Sequence, residues 1–405
     1  MNLSPAIERV DVLDVLRGIA IFGMFTVNMT ADIWWSNEYQ DLEPGSADFL
    51  ALLFVNLLAS GKFITIFSFL FGIGFYIQAE RRTTANSSVA SFWFRRLSGL
   101  LIIGLIATAC TLPVRILMDY AIFGFALLLF YRLPPRFILA AAISTFVIVE
   151  SVDLLIPAYW PLSVVNMPPV SASSDSMHNL IDTVLPTGSF AAISAVELRH
   201  AWVEFTSWQY YAGDLDILGI MLLGLYVGRI GAIWDRRTLV SLARKHVYWL
   251  LGVGFICGAF GAAMSQLGPG DETSIHHSVV ANLLTWPLGM PVLGLGYAAA
   301  IALMMDREKW RRRLTAFAPI GRMALTNYLF TGLVAAFISF QWGLGLYGNV
   351  YPYMGIVIVI ALLPVQLIMS HWWLSKFAFG PCEWLWRYWT YGRPPPMRRN
   401  SELTT

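Results

Sequence analysis

Apolar stretches long enough to cross a bilayer recur from one end of this chain to the other, and they limit its fold more than any other feature. They begin near residues 13, 51, 97, 116, 137, 209, 247, 279, 323 and 353. A helix needs about 20 apolar residues to cross the hydrocarbon core, so the chain reads as all-α, a polytopic transmembrane helical bundle of about ten spans. Charged residues make up 13% of the 405, against about a quarter in a soluble domain. The first run leads into Trp34 and Trp35 without a small-residue cleavage site, so it reads as a retained membrane helix and not a signal peptide. The second is interrupted at Gly61-Lys62, which predicts a short interfacial piece followed by a span.

Charge placement predicts the orientation. With the N-terminus and C-terminus cytoplasmic, all but four of the 27 Lys and Arg fall on cytoplasmic segments, the exceptions being Arg17, Lys62, Arg115 and Arg199. The opposite loops carry Asp32, Glu38, Asp41, Glu43 and Asp48 with no basic residue among them, and the longest, 158–208, is expected outside. Residues 1–240 make the N-terminal half of the bundle, 241–392 its C-terminal half, and 393–405 a cytoplasmic tail. The three cysteines, Cys110, Cys257 and Cys382, are too dispersed for a disulfide framework, and the six histidines form no metal pair at helical spacing. Walker, nucleophile-elbow and dinucleotide motifs are not found, so neither a metal nor a nucleic acid is expected as a ligand.

Polar residues inside apolar runs are costly and mark function or packing. In "LDVLRGIAIFGMFTVNM" (13–29), Asp14, Arg17, Ile21, Met24 and Asn28 form one helical stripe, with Arg17 and Asn28 roughly 16 Å apart along the axis. Two readings stand for Arg17: it snorkels to the interface, held by Asp14, or it faces a polar interior. Asn28 serves either chemistry or helix–helix contact. In "GKFITIFSFLFGIGF" (61–75), Lys62 either reaches the outer interface or acts inside, and the glycines at 72 and 74 allow close approach. "GRMALTNYL" (321–329) places Arg322 at the start of a helix and on one face with Thr326. Asp214 and Asp216 stand at the outer end of the sixth span, where capping accounts for one of them or both. "GLYVG" (224–228) fits a small-residue helix contact, and the tryptophan-dense stretch 371–392 fits an interfacial helix in an aromatic belt.

The order of these stretches, with "FWFRRL", "GIMLLGLYVGRIG" and "FAFGPCEWLWRYWTYG", resembles the bacterial YeiB-like membrane proteins from Leu13 to Gly392. The C-terminal half of that family is catalogued as domain of unknown function 418. The family looks like a distant relative of heparan-α-glucosaminide N-acetyltransferases and membrane acyltransferases. The resemblance implies an integral membrane acyltransferase of the bacterial inner membrane. It would move an acetyl-like group from cytoplasmic acyl-CoA to an acceptor such as a sugar or envelope component. Asp14, Arg17, Gly18, Arg322 and Asn327 would bind the CoA, while Asn28, Asp216 and Lys62 would stand at the chemistry. Where many relatives carry a histidine near the outer end of the first span, this chain has Asn28, which takes no proton at neutral pH. Where YeiB-like chains read Gly-Leu-Leu-His and Gly-Asp-Ile-Leu, it has Gly104-Leu105-Ile106-Ala107 and Val114-Arg115-Ile116-Leu117. The base then falls to Asp216, Glu204 or a loop histidine such as His200. The alternatives are a transporter or lipid-handling protein that keeps the channel without transfer chemistry, and a non-catalytic partner subunit. Expected partners are membrane lipids, a small-molecule or glycan acceptor and a second copy of the chain.

Overall fold

The computed structural model describes residues 4–32, 42–43, 45–112, 114, 116–159, 183–206, 211, 214–231, 236–267, 280–281 and 283–398. Arg115, the acidic loop around Asp41, residues 160–182 of the long loop, His276, His277 and the tail from residue 399 lie outside the described residues. In chain order the helices are α1 (Ser4–Val27), continued by a π-helical turn (Asn28–Asp32), α2 (Ala47–Leu58), α3 (Lys62–Thr84), α4 (Val89–Ala109), α5 (Ile116–Phe130) and α6 (Pro135–Tyr159). There follow α7 (Phe190–Thr206), α8 (Leu215–Arg229), α9 (Arg236–Leu267), a second π segment (Leu284–Gly289) and α10 (Met290–Met305). The last are α11 (Glu308–Leu314), α12 (Ala318–Arg322), α13 (Ala324–Ser339), α14 (Pro352–Lys376) and α15 (Pro381–Tyr391). The described residues form no sheet; Phe377 and Arg398 make an isolated antiparallel bridge.

Among the described residues, six helical stretches are long and apolar enough to cross a membrane: Val12–Thr30, Ala47–Thr84, Val89–Ala109, Arg237–Met264, Leu284–Met305 and Pro352–Lys376. The protein is therefore an all-helical, multi-pass membrane protein. The four other expected spans fall on Ile116–Phe130, on Pro135–Val149, on Leu215–Arg229 and on Ala324–Ser339. At 1.5 Å per residue Ile116–Phe130, Leu215–Arg229 and Ala324–Ser339 rise roughly 22–24 Å, less than the about 30 Å of a hydrocarbon core, whereas α6 as a whole (Pro135–Tyr159) rises roughly 37 Å.

The second apolar run breaks where expected. α2 ends at Leu58 and α3 starts at Lys62, and between them Gly61 takes a left-handed φ of 75°, which suits glycine. Lys62 is enclosed at 2% exposure, and its Nζ donates to the Asn56 carbonyl in the last turn of α2 at 2.6 Å. The lysine thereby satisfies a helix C-terminus that would otherwise be left with unpaired carbonyls.

The main core joins α1 (Ile21, Met24), α3 (Phe75), α4 (Trp93, Leu97), α5 (Tyr120), α8 (Leu218, Met221) and α13 (Leu325, Tyr328). α3 and α8 cross with their backbones in contact. A methyl on Gly72 would collide with the Met221 carbonyl oxygen, and one on Gly224 with that of Phe69. Without a hydrophobic drive between helices in lipid, such close van der Waals packing holds them together. Near the start of α1, the bundle end gathers Arg17, Arg82, Arg96 and Arg387. The opposite end gathers Lys62 and the first turns of α5 and α8.

Candidate functional site

Asp14, Arg17, Ile21, Met24 and Asn28 share one face of α1 because residues three, four and seven apart lie on one side of a helix. Asp14, Ile21 and Met24 are buried, and Arg17 and Asn28 half-buried. Arg17 Nη1 donates to Asp14 Oδ1 at 2.9 Å. Its other terminal nitrogen rests on α3 at Gly74, where no side chain competes for the space. Arg17 thus faces helix α3, not lipid, as the interior reading requires.

α12 presses on this stretch of α1. A methyl on Gly18 would collide with the Phe317 carbonyl oxygen, and one on Gly321 with that of Asp14. Two glycines facing each other therefore set how closely the "LDVLRG" and "GRMALTNYL" stretches meet. The second stretch departs from the expected helix. α12 ends at Arg322, Met323 leaves helical geometry at φ −111° and ψ 37°, and α13 begins at Ala324. Arg322 is therefore an exposed last-turn residue and shares no helical face with Thr326. Buried Asn327 closes the break. Its Nδ2 donates to the Met323 carbonyl at 3.0 Å, the Ile320 carbonyl at 3.4 Å and Ser370 Oγ at 3.1 Å. That amide is occupied by the fold, which gives Asn327 a positioning role beside Gly18 and Gly321.

Glu383 of α15 caps the new helix start. Its carboxylate accepts from the Thr326 backbone N–H at 3.0 Å and from Thr326 Oγ1 at 2.5 Å. The Cys382 N–H in turn donates to Thr326 Oγ1 at 3.1 Å. Burial pushes the Glu383 carboxyl above its ordinary range, while the Thr326 hydrogen bonds pull it down.

Beside Arg17 lies a cation that topology reasoning absorbs and geometry singles out. The Arg96 guanidinium sits 3.7 Å from the Trp386 ring centroid and 5.6 Å from that of Trp93. Trp386 Nε1 donates to the Arg96 carbonyl at 2.7 Å, which locks α15 onto α4. Arg96 Nε and Trp93 Nε1 are both enclosed and have no hydrogen-bond partner. Arg387 and Arg17 act on Arg96 with charge of the same sign, while the Tyr391 hydroxyl acts in the opposite sense. An enclosed donor left unpaired costs about 1–3 kcal/mol, and like charges add repulsion. Three arginines and an orphaned N–H thus come together near the start of the α1 stripe, a combination that an anion would satisfy.

The far end of the stripe is different. Asn28 opens the π-helical turn, a feature frequent at functional sites. Its side-chain amide makes no hydrogen bond to any described residue. Across the core from Ile21 and Met24, Tyr120 Oη and Ser68 Oγ share a hydrogen bond of 2.7 Å. Asp119, Asp216 and Tyr328 all act electrostatically on Tyr120, and Asp119, Glu204 and Asp214 on Tyr211. Asp119 thus links the candidate Asp216, which acts on Tyr120, to the candidate Glu204, which acts on Tyr211 and has His200 Nε2 3.4 Å from its Oε1. Asp216 Oδ1 accepts from the Ile217 N–H at 2.7 Å, in the first turn of α8. Lys62 is bound to the Asn56 carbonyl and to no described carboxylate. Asp119, buried in the first turn of α5, is the member that the motif comparison overlooks. It stands four residues after Arg115, and the signal for it is a lone acid inside an apolar run. Ala107 is buried in the main core.

Two family models match this chain. Residues 9–176 match heparan-alpha-glucosaminide N-acetyltransferase, catalytic, and residues 200–393 match the protein of unknown function DUF418. Among similar curated proteins, "Uncharacterized protein YxaH" of Bacillus subtilis is 29% identical over 99% of this chain and 100% of its own length. An uncharacterized protein of Bacillus acidopullulyticus from the amylase 3' region is 25% identical over 98% and 97%. "Uncharacterized protein YeiB" of Escherichia coli is 24% identical over 94% and 96%. The acetyltransferase match covers the stripe of α1, Arg96 and Asp119, and the DUF418 match covers Asp216, Arg322, Asn327 and Glu383.

Proposed function

We propose, for a chain that is YeiB-like over nearly its whole length and carries an acetyltransferase-like N-terminal half, that it is a membrane acyltransferase with acyl-CoA as donor. The observation that carries the reading is the enclosed, unpaired Arg96 Nε beside Arg17 and Arg387. CoA is a polyanion whose phosphates supply the charge and acceptors this cluster lacks. The basic end of the bundle then faces the cytoplasm, where CoA is found, in keeping with the positive-inside rule. Arg17, Arg96 and Arg387 hold phosphate, and Asp14 keeps Arg17 oriented. Gly18 and Gly321 set the spacing of the wall, and Asn327 and Glu383 fix the broken helix behind it.

From that mouth the pantetheine arm extends along Arg17, Ile21, Met24 and Asn28, a rise of roughly 16 Å. The thioester carbonyl reaches the level of Asn28, whose free amide donates to the developing oxyanion. The acceptor's hydroxyl or amine attacks the carbonyl carbon and gives its proton to a carboxylate of the group Asp119, Asp216 and Glu204. The C–S bond breaks, and CoA leaves as the thiol after taking up a proton. The acceptor enters from the acidic end, on the far side of the bacterial cytoplasmic membrane, so sugar or envelope hydroxyls and amines are the fitting class.

The test is calorimetric binding of CoA and acetyl-CoA to the purified protein in nanodiscs. Each charge-assisted contact contributes about 1.5–3 kcal/mol, so Arg17→Ala and Arg96→Ala should each weaken binding about tenfold or more. Absence of saturable binding, or native affinity in both variants, overturns the reading. Binding without transfer to any acceptor favours the transport alternative.

A further inference from the structure

Deep in α14, Gln366 is 1% exposed, and neither its Nε2 nor its Oε1 has a hydrogen-bond partner. A whole carboxamide enclosed without a partner at membrane depth is expensive and calls for an explanation. Its direction follows from its neighbours on the helix. Val359, Gln366 and Ser370 share one buried face. Val359 packs with Phe25 and Met29 of α1, and Ser370 bonds Asn327 of α13. Gln366 therefore points into the seam where α14 meets α1 and α13.

Two fixed points give its depth. Gly355 of α14 touches the Met29 carbonyl so closely that a methyl there would collide with it. Gln366 lies roughly 16 Å further along the antiparallel helix, which returns it towards the level of Gly18. Ser370, one turn beyond, is tied through Asn327 to Ile320 and Met323, beside the contact of Gly321 with Asp14. Gln366 thus stands between the levels of Arg17 and Asn28, on the stretch assigned above to the donor's arm.

We infer that Gln366 is a binding residue for a secondary amide of the pantetheine arm, an inference that rests on the acyl-CoA reading. Between its phosphates and its sulfur that arm carries two secondary amides, and each needs a donor and an acceptor once it leaves water. A side-chain carboxamide supplies both: Nε2 donates to the ligand's C=O, and the ligand's N–H donates to Oε1. One pairing satisfies four groups that are otherwise unpaired in an apolar surround. It also fixes the arm's register, so that the thioester stops at one depth.

Gln366→Leu is close in size and removes only the polar pairing. In nanodiscs it should bind CoA at least tenfold more weakly than the native protein. Binding of the bisphosphorylated adenosine moiety alone should be unchanged, because that part ends at the arginines. The unliganded thermal midpoint should hold or rise, since the variant loses an unsatisfied amide; Gln366→Met is the second variant should leucine pack poorly. Native CoA affinity in a folded Gln366 variant overturns the inference and leaves the acyl-CoA reading intact. Loss of both ligands assigns Gln366 to the fold and also overturns it. If the native protein binds the adenosine moiety and CoA equally well, the arm is not gripped and the inference falls. If it binds neither, the acyl-CoA reading falls and takes this inference with it.

Discussion

Asn28 and the acids across from it divide the proposed chemistry between a donor of hydrogen bonds and an acceptor of protons. Removing an oxyanion donor costs about 10²–10³ in turnover, so Asn28→Ala should cut acyl transfer about a hundredfold while CoA binding persists. Asp119→Asn and Asp216→Asn separate the two acids that act on Tyr120: the one that accepts the proton should lose about a hundredfold or more, the other far less. Wild-type transfer in Asn28→Ala, or in both acid variants, removes those residues from the mechanism. Glu383 makes a prediction about pH. With its folded pKa raised by burial, the native state keeps a proton that the unfolded chain has already lost. Stability should therefore fall as pH rises from the ordinary carboxylate range towards the folded value. Thr326→Val removes a hydrogen bond to the charged form and should steepen that fall, whereas Glu383→Gln should flatten it. Thermal midpoints from mildly acidic to neutral pH decide the matter, and superposable profiles would show that Glu383 does not titrate there. The pairing of Arg17 with Asp14 is legible in the sequence because it is local, three residues apart on one helix. Arg96 and Asp119 are hidden for opposite reasons. Charge topology already accounts for Arg96, and its stacking on Trp386 joins residues far apart in the chain. Asp119 stands four residues after Arg115, the position to which the comparison with YeiB-like chains directs attention.

Between elements, the crossings are set by glycine, and this is where a substitution reads most directly. Gly321→Ala would drive a methyl into the Asp14 carbonyl, a backbone atom that cannot rotate aside. Overpacking costs typically about 1–3 kcal/mol, and here it also pushes α12 off the stretch that carries Arg17. The variant should melt at lower temperature and bind CoA more weakly. Gly252→Ala is the control: its methyl would meet nothing within 4 Å, and in a helix interior alanine is favoured by roughly 0.5–1 kcal/mol. Equal melting of the two variants would mean that the α1–α12 contact does not limit stability. The break at Gly61-Lys62 and the small-residue contact in "GLYVG" could be read from the chain because glycine marks both. The break at Met323 could not. The apolar periodicity runs straight through it, and what holds it open is tertiary: Asn327 on the freed carbonyls and Glu383 on the new helix start.

Over the whole molecule, the two ends differ in charge, and that asymmetry orients the proposed reaction. Arg17, Arg96 and Arg387 gather near the start of α1, while Asp119, Asp214 and Asp216 gather at the other end. In the proposed reaction a polyanionic donor and an acceptor that must surrender a proton would therefore approach from opposite sides, and the acyl group would cross the membrane along α1. The number of crossings enters the same argument. The ten apolar runs of the sequence, an even number of crossings, return the chain to the side on which it began. With the basic segments on the cytoplasmic side, that count predicts both termini there. A background in which Cys110, Cys257 and Cys382 are replaced by serine allows single reporters at Asp41→Cys and Arg312→Cys. In intact cells an impermeant maleimide should label Asp41→Cys and leave Arg312→Cys unlabelled until the membrane is opened. The acidic loop would then lie outside, and the basic loop that leads into α12, next to the proposed phosphate site, would lie with the CoA pool. Labelling of both from one side breaks the topology. Labelling of Arg312→Cys alone inverts it, which would put the arginine cluster where no CoA is found and end the acyl-CoA reading with it.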